Sequence, residues 1–172
     1  CGGHGMIDKH FVMYDDVTRV PLIVRWPGHA AAGHACHAFV SHALDLATTF
    51  CEAAGAPVPE TFRGRSLLPL LAGGEGNGRE YICATYHGSQ FGLYSQRMIR
   101  DRRWKYVWNA TAEDELYDLE SDPAEVENRA TDPSCRGELA RLRWQLVGWM
   151  EETRDTLLNA WTRAQLLEGL KV

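Results

Sequence analysis

An apolar run near the start of the chain constrains its fold more than any other feature. The run reads Val-Pro-Leu-Ile-Val-Arg-Trp at positions 20–26, and Pro27-Gly28 closes it. A short and nearly continuous apolar segment is typical of a strand that is buried on both faces of a sheet, as in α/β folds. After a loop of Gly, Ala and His, Ser41 fits the N-cap of a helix that ends near Gly55. We therefore predict an α/β fold class.

A glycine-rich run divides the chain into two parts of different composition. It reads Gly-Gly-Glu-Gly-Asn-Gly at positions 73–78, and such a cluster is typical of a flexible boundary. Beyond it, short β-branched or aromatic segments separated by turn residues predict an antiparallel meander. These segments lie near residues 81–86, 96–100, 104–108 and 115–119. The sequence therefore predicts two domains, residues 1–78 and residues 79–172.

Helical patterns follow the meander. Between about residues 134 and 156, apolar residues recur at steps of three and four, which predicts an amphipathic helix that packs on the meander. These residues are Leu139, Leu142, Leu146, Trp149 and Met150. The tail after Asn159 is apolar enough for a further helix, which would cover a neighbouring element or a second copy of the chain. A homo-oligomer is therefore one of the expected partners.

Charge and hydropathy exclude two kinds of partner. The 172 residues include 18 Lys and Arg against 23 Asp and Glu, which gives a formal net charge of -5. Because nucleic-acid binding needs clustered Lys and Arg, we expect no nucleic-acid partner. No run of about 18 apolar residues occurs, so we expect no membrane-spanning segment.

The cysteines favour a reducing compartment. They are odd in number and widely scattered, at Cys1, Cys36, Cys51, Cys83 and Cys135. This distribution fits free thiols in the cytoplasm better than a disulfide framework. Cys36 is surrounded by histidines, but their spacing matches no standard set of metal ligands, so a solvated His-rich loop is the favoured interpretation.

The first ten residues hold the densest group of functional side chains. His4, Lys9 and His10 place two imidazoles and one ammonium close together between flanking glycines, which let the backbone approach a ligand. A lysine ammonium can neutralise a sulfate or phosphate oxygen and stabilise charge on a leaving oxygen. Because solvated lysines and incidental histidines are common at surfaces, a plain surface loop remains the alternative on spacing alone.

Two features of the C-terminal half have structural interpretations. Trp104, Tyr106 and Trp108 alternate along one predicted strand, and period-two aromatics are typical of one face of a half-buried strand, with base or sugar stacking as the alternative. The acidic run at residues 113–127 lacks the EF-hand pattern of ligands and glycine. We interpret it as a turn and a short helix that Asp122 caps.

Several segments, taken in order, resemble motifs of the sulfatase family. Residues 2–27 resemble its loop of the form Gly-x-His-Gly, several residues, Lys, then Tyr-Glu/Asp-x-x-x-Arg-Val-Pro-Leu-Ile. Residues 42–50 and 62–71 are similar to its Asp-Leu-x-Pro-Thr helix and its Gly-x-Ser-Leu-x-Pro-Leu element. Residues 103–107 and 115–128 resemble its Arg-x-Lys-Tyr strand and its Glu-Leu-Tyr-Asp-Leu-x-x-Asp-Pro-x-Glu-x-x-Asn signature. Such motifs are specific when they occur together and in order.

The resemblance implies a fold and an activity. It implies that residues 1–78 form the end of the large sulfatase-type α/β sheet of the alkaline phosphatase superfamily. A C-terminal subdomain would follow, in which a long helix packs on a small antiparallel sheet. The chain would be the C-terminal fragment of a hydrolase of small-molecule sulfate esters, similar to arylsulfatases and choline-sulfatases. The alternatives are a phosphonate or phosphate ester hydrolase of the same superfamily, or a non-catalytic assembly subdomain.

The resemblance also implies site residues. In the family the loop lysine contacts the sulfate group, and Lys9 is the residue that matches it, as a catalytic and substrate-binding group. His4 matches a histidine of the same loop and is a substrate-binding candidate. His87, in a glycine-rich loop at the end of a predicted strand, is a further candidate, with a loop histidine bonded to backbone as the alternative.

The family's cofactors are expected outside this sequence. The family uses a formylglycine nucleophile made from a Cys/Ser-x-Pro-x-Arg motif, and none of the five cysteines lies in that pattern. The resemblance places the metal-binding Asp-His-Gly upstream of residue 1, so we expect no metal ligand in this chain. A divalent metal, by expectation calcium, and the formylglycine would belong to an N-terminal part of the same enzyme, which would be a partner of this chain. The chain alone is expected to be catalytically incomplete.

Overall fold

The computed structural model describes residues 2–8, 11–74, 79–89 and 92–169. The chain groups into two compact units, one made of Cys1–Val20 together with Cys83–Val172 and the other of Pro21–Ile82. The predicted division into domains at residues 78 and 79 stays a prediction. In the observed grouping, the N-terminal loop belongs with the C-terminal half of the chain.

The described residues form five helices and one small sheet. The helices are α1 (Asp15–Thr18), α2 (His42–Ala53), α3 (Leu68–Leu71), α4 (Arg136–Glu152) and α5 (Ala160–Glu168). The strands are β1 (Ile82–Ser89), β2 (Gly92–Arg100), β3 (Trp104–Asn109) and β4 (Glu115–Asp118). Two 3-10 turns cover Gly3–Gly5 and Pro133–Cys135.

The sheet follows the order of the chain, β1-β2-β3-β4. The antiparallel register sets Met98 of β2 opposite Val107 of β3, and Tyr106 of β3 opposite Leu116 of β4. All four of these side chains are buried. Every residue of β3 is buried, so this inner strand is covered on both faces. The predicted antiparallel meander is confirmed, but the prediction that β3 is half-buried was wrong.

Helix α4 covers the sheet, as its apolar period predicts. Leu142, Leu146, Val147 and Met150 form its buried stripe, and the helix contacts β2 and β3. Spacings of three and four place these residues on one side of a helix. The prediction of a long helix packed on a small antiparallel sheet is confirmed.

Helix α5 packs on α4. The side chain of Asn159 caps its first turn by accepting a hydrogen bond of 3.0 Å from the Thr162 amide, and Gly169 ends it with a φ of 71°. Leu166 is buried. The predicted tail helix therefore covers a neighbouring element, while a homo-oligomer stays a prediction. No helix in the described part of the chain is long and apolar enough to cross a bilayer.

In the second unit, Asp45 joins helix α2 to the segments that follow it. Helix α2 begins after Ser41, as predicted. The Ser41 side chain forms no capping hydrogen bond; instead, the Ser41 amide donates a hydrogen bond of 2.8 Å to the Asp45 carboxylate. The same carboxylate accepts from the Arg65 amide at 2.7 Å and is paired with the Arg79 guanidinium. At Gly64 an added Cβ would lie 2.0 Å from a main-chain oxygen of α2, so only glycine fits.

The apolar run at residues 20–26 lacks regular secondary structure here, and Ile23 is 90% exposed. A strand exists only when its backbone groups pair with a neighbouring strand. Among the described residues, every strand lies between Ile82 and Asp118, and none pairs with this run. The expected place of the run in a large α/β sheet therefore stays a prediction.

Candidate functional site

The described part of the N-terminal loop is a tight turn that presents His4. Residues Gly3–Gly5 form a 3-10 turn in which His4 has a φ of 53°, in the left-handed region. The imidazole is exposed on one side and stacks on the ring of Tyr14 on the other, with centroids 3.7 Å apart and planes 5° from parallel. A Cβ at Gly3 would collide with the carboxylate of Asp16. Lys9 and His10 lie outside the described residues.

The chain just after this loop is anchored in the sheet. Met13 is buried against Met98 and Val107. The Lys105 ammonium donates to the Met13 carbonyl at 3.0 Å and to the Asp15 carboxylate at 2.5 Å. Lys105 of β3 therefore holds both the Met13 carbonyl and the Asp15 carboxylate, one on each side of Tyr14.

Three further contacts complete this group of charges, which we call the ion cluster (Asp15, Arg100, Lys105 and Glu125). The Glu125 carboxylate lies 2.5 Å from the Lys105 ammonium and accepts a 2.6 Å hydrogen bond from the Asp15 amide. Arg100 lies 3.2 Å from the second carboxylate oxygen of Asp15. Two positive and two negative side chains thus meet in a largely buried place, where an unpaired charge would be costly.

A cavity of about 630 Å³ lies beside the loop. Its wall includes the rings of Phe11 and Tyr94, which stack with centroids 5.7 Å apart and planes 12° from parallel. His4 and Tyr14 line it as well. Aromatic faces offer a large apolar contact surface to a bound ring or chain. The cavity can therefore hold an organic group next to His4.

Another part of the cavity lining is polar and fixed by hydrogen bonds. The Asn109 amide donates to the Glu115 carboxylate at 3.0 Å and to the Glu113 carbonyl at 2.7 Å. Tyr117 donates its hydroxyl to the other Glu115 oxygen at 3.0 Å. Burial, followed by the charge of Glu115, raises the pKa of Tyr117 far above its usual value, so this hydroxyl stays a donor. The wall presents carboxylates rather than cations.

His87 lies in a different setting. Its Nε2 is 3.0 Å from the guanidinium of Arg97. Because a guanidinium can only donate, Nε2 must accept, and Nδ1 is left for any other partner. Arg97 is fully buried and forms two hydrogen bonds with Asp155, at 2.5 and 2.9 Å. The residues that line the cavity include His4 and not His87.

The described residues do not fit a metal centre. Within these parts of the chain, no three His, Cys, Asp or Glu side chains come together in a group that could hold a metal ion. The carboxylates of Asp15 and Glu125 are already occupied by Lys105 and Arg100. No catalytic step through a metal can therefore be assigned to these residues.

The ion cluster was not predicted from the sequence. Lys105 belongs to the Arg-x-Lys-Tyr motif and Glu125 to the Asp-Pro-x-Glu motif, both of which were recognised only as marks of resemblance. The signal that could have revealed their contact is a lysine inside a strand of aromatic residues, since lysine is almost never fully buried unless it is paired.

Comparisons with known proteins agree with the motifs. Residues 2–152 match the family described as N-sulphoglucosamine sulphohydrolase, C-terminal. The chain is 33% identical over 156 residues to the Delta 4,5-hexuronate-2-O-sulfatase of Bacteroides thetaiotaomicron, a match that covers 88% of this chain and 32% of that protein.

Two solved structures show the same fold. The structure of BT4656 with its substrate D-glucosamine-2-N,6-O-disulfate is similar with a TM-score of 0.80 and 30% identity, covering 90% of this chain and 32% of that one. A phosphonate monoester hydrolase from Silicibacter pomeroyi is similar with a TM-score of 0.66 and 26% identity, covering 74% of this chain and 28% of that one. The chain spans about a third of the length of the first curated relatives it matches.

Proposed function

Because the chain belongs to the sulfatase family, of which it carries the C-terminal part, we propose that it supplies the sulfate-binding loop of a hydrolase of sulfate esters. The observation that carries the proposal is the extent of the family match, which begins at residue 2 and so includes the whole loop with His4 and Lys9. The predicted family is thereby confirmed, while the activity is our proposal.

In this proposal the chain binds and orients the substrate. The Lys9 ammonium neutralises a sulfate oxygen and stabilises the charge that builds up on the leaving oxygen. His4 contributes a polar ring at the edge of the cavity, and the stacked rings of Phe11 and Tyr94 support the alcohol part of the ester. His87 is a more remote substrate-binding candidate, which would act through Nδ1.

Sulfatases generally use a metal ion and a formylglycine, which supply charge stabilisation and the nucleophile. The described residues form no metal-binding group, and no cysteine of the sequence lies in a Cys-x-Pro-x-Arg pattern. We therefore propose that both groups, with calcium as the expected metal, belong to an N-terminal part of the enzyme that acts together with this chain.

The test is to replace Lys9 by Ala in the complete enzyme and to measure hydrolysis of p-nitrophenyl sulfate. Removing one preorganised group that stabilises transition-state charge typically costs on the order of 100-fold or more in kcat. The control is Lys171→Ala, which removes a lysine far along the chain. Equal rates for the Lys9 variant and the wild type would refute the proposed role and favour a non-catalytic assembly subdomain.

A second candidate is hydrolysis of phosphonate or phosphate esters. It is favoured by the similarity to the phosphonate monoester hydrolase, whose fold matches most of this chain. Sulfuryl and phosphoryl groups present similar oxygens to a lysine ammonium, so the loop itself fits both. Matched p-nitrophenyl sulfate and p-nitrophenyl phenylphosphonate separate the two: a kcat/KM that is higher for the sulfate supports our first proposal, and the reverse supports the second.

A further inference from the structure

The ammonium of Lys105 has three polar neighbours, two of which accept hydrogen bonds from it. Its three neighbours are the Met13 carbonyl at 3.0 Å, the Asp15 carboxylate at 2.5 Å and the Glu125 carboxylate at 2.5 Å. A lysine ammonium has N–H donors and no acceptor; here it donates to Met13 and Asp15 and forms an ion pair with Glu125. Lys105 is fully buried on β3. Its contacts therefore join the sheet to two distant stretches of chain in one fixed arrangement.

The contacts hold the backbone on both sides of Tyr14. Lys105 bonds the carbonyl of Met13, and Glu125 bonds the amide of Asp15 at 2.6 Å. The peptide groups before and after Tyr14 thus cannot turn without breaking a buried charged hydrogen bond. The ring of Tyr14 is in turn the surface on which His4 stacks. Restraint of the Tyr14 backbone is therefore transmitted to the imidazole.

Glu125 is held in an uncommon conformation for this contact. Its φ of 56° is in the left-handed region, which non-glycine residues rarely adopt and which persists only when the surroundings enforce it. Asp122 enforces it: its carboxylate accepts from the amides of Val126 and Glu127, both at 2.8 Å, and its carbonyl accepts from the Glu125 amide at 3.1 Å. The Asp-Pro-x-Glu motif thus presents a carboxylate to Lys105.

Stability alone does not account for such a cluster. A buried ion pair often contributes no more to stability than well-packed apolar side chains of the same size, so its presence is weak evidence of a stabilising role. What an apolar group could not do is bond the carbonyl of Met13 and orient the carboxylates of Asp15 and Glu125. Geometry, rather than stability, is therefore the property that the cluster supplies.

We infer that Lys105 is a positioning residue: the ion cluster fixes Tyr14, and through it His4, in the loop that binds the sulfate ester. This inference rests on the proposed function. It assigns Lys105 no contact with the substrate, because the side chain is fully buried and its partners lie within the chain. Glu125 and Asp15 act with it, and Arg100 balances the remaining charge of Asp15.

The first measurement is made on the complete enzyme with Lys105→Met, which keeps the length of the side chain and removes its donors. Because misplacement of a catalytic loop by about 1 Å can cost on the order of 100-fold, we expect kcat for p-nitrophenyl sulfate to fall roughly 10- to 100-fold. KM should change much less. The amide of Asp15 should exchange with deuterium faster in the variant, since its acceptor Glu125 is released.

The control is Arg103→Met, which removes an exposed arginine from its ion pair with Asp118 elsewhere in the sheet and should leave kcat unchanged. A second variant, Tyr14→Leu, keeps the cluster and removes the stacking surface of His4. This variant should lower kcat to a similar extent without faster deuterium exchange at the Asp15 amide. It therefore tests the inference even if Lys105→Met does not fold.

Unchanged kcat in folded Lys105→Met, or in Tyr14→Leu, would overturn the inference. A lower melting temperature of Lys105→Met with unchanged kcat would also overturn the inference, because this result is expected of a residue that only stabilises the fold. The proposed function fails separately, through Lys9→Ala. If Lys9→Ala is fully active while Lys105→Met exchanges faster at Asp15, the anchoring is upheld and the assignment of the loop to sulfate is refuted.

Discussion

Replacement of Asp45 by Ala should strongly destabilise the unit made of residues 21–82. The carboxylate is fully buried and accepts hydrogen bonds from the amides of Ser41 and Arg65, besides its pair with Arg79. Alanine removes every one of these acceptors at once. The guanidinium of Arg79, which is itself mostly buried, would be left without its partner.

The size of the loss in stability follows from the unpaired charge of Arg79 that the substitution leaves behind. Removing one partner of a buried ion pair typically costs about 3–5 kcal/mol, because the remaining charge is uncompensated. Each buried amide that loses its acceptor would add about 1–3 kcal/mol if water could not reach it. Since the loop can relax and let water reach the freed amides, we expect only the ion-pair part of this cost, about 4 kcal/mol.

Urea unfolding followed by circular dichroism measures this loss as a change in the free energy of unfolding. The matched control is Glu52→Ala on the exposed face of the same helix, which should stay within about 0.5 kcal/mol of the wild type. Hydrogen exchange at the amides of Ser41 and Arg65 locates the effect. A loss below about 1 kcal/mol, the range of exposed ion pairs, would refute the view that Asp45 joins α2 to the following segments.

Two further predictions concern the other unit. Burial alone would raise the pKa of Asp155, but its hydrogen bonds with Arg97 and the Leu157 amide lower this pKa overall. The contribution of Asp155 to stability is therefore complete above about pH 4, the pKa in the unfolded chain, and it is lost as the pH falls towards the folded pKa. Acid titration of the unfolding free energy should thus be flatter for Asp155→Asn than for the wild type, and identical slopes would contradict this. Asp114 accepts from the Tyr106 hydroxyl at 2.6 Å and from Arg143 at 2.8 Å, so Asp114→Ala should cost about 3 kcal/mol in urea unfolding, and a neutral result would show that the pair is not needed.

Much of the fold could be predicted because local patterns determine it. The stripe of Leu142, Leu146 and Met150 predicts α4 and its buried side, since the period of a helix is read directly from the sequence. The run at residues 20–26 shows the limit of such reasoning. Its composition indicates a doubly buried strand, but a strand depends on a pairing neighbour, which a local pattern does not contain.

The candidate site could be predicted only in part. The spacing of glycines and histidines, together with the resemblance, identifies His4, which the structure places at the cavity. Alternation of Trp104, Tyr106 and Trp108 predicted a half-buried strand, and this was wrong because the charge of Lys105 on the same strand is met by carboxylates far away in sequence. The bond between His87 and Arg97, which are ten residues apart, was also missed.

The ion cluster also has a consequence for how this chain can diverge. Asp15, Lys105 and Glu125 share their charges and hydrogen bonds, so a change at one of them removes a partner from at least one of the others in a largely buried place. Each single substitution is then harmful, while a joint replacement of matching size and charge can be neutral. Across related sequences these three positions should therefore change together, as one inherited unit, rather than drift independently.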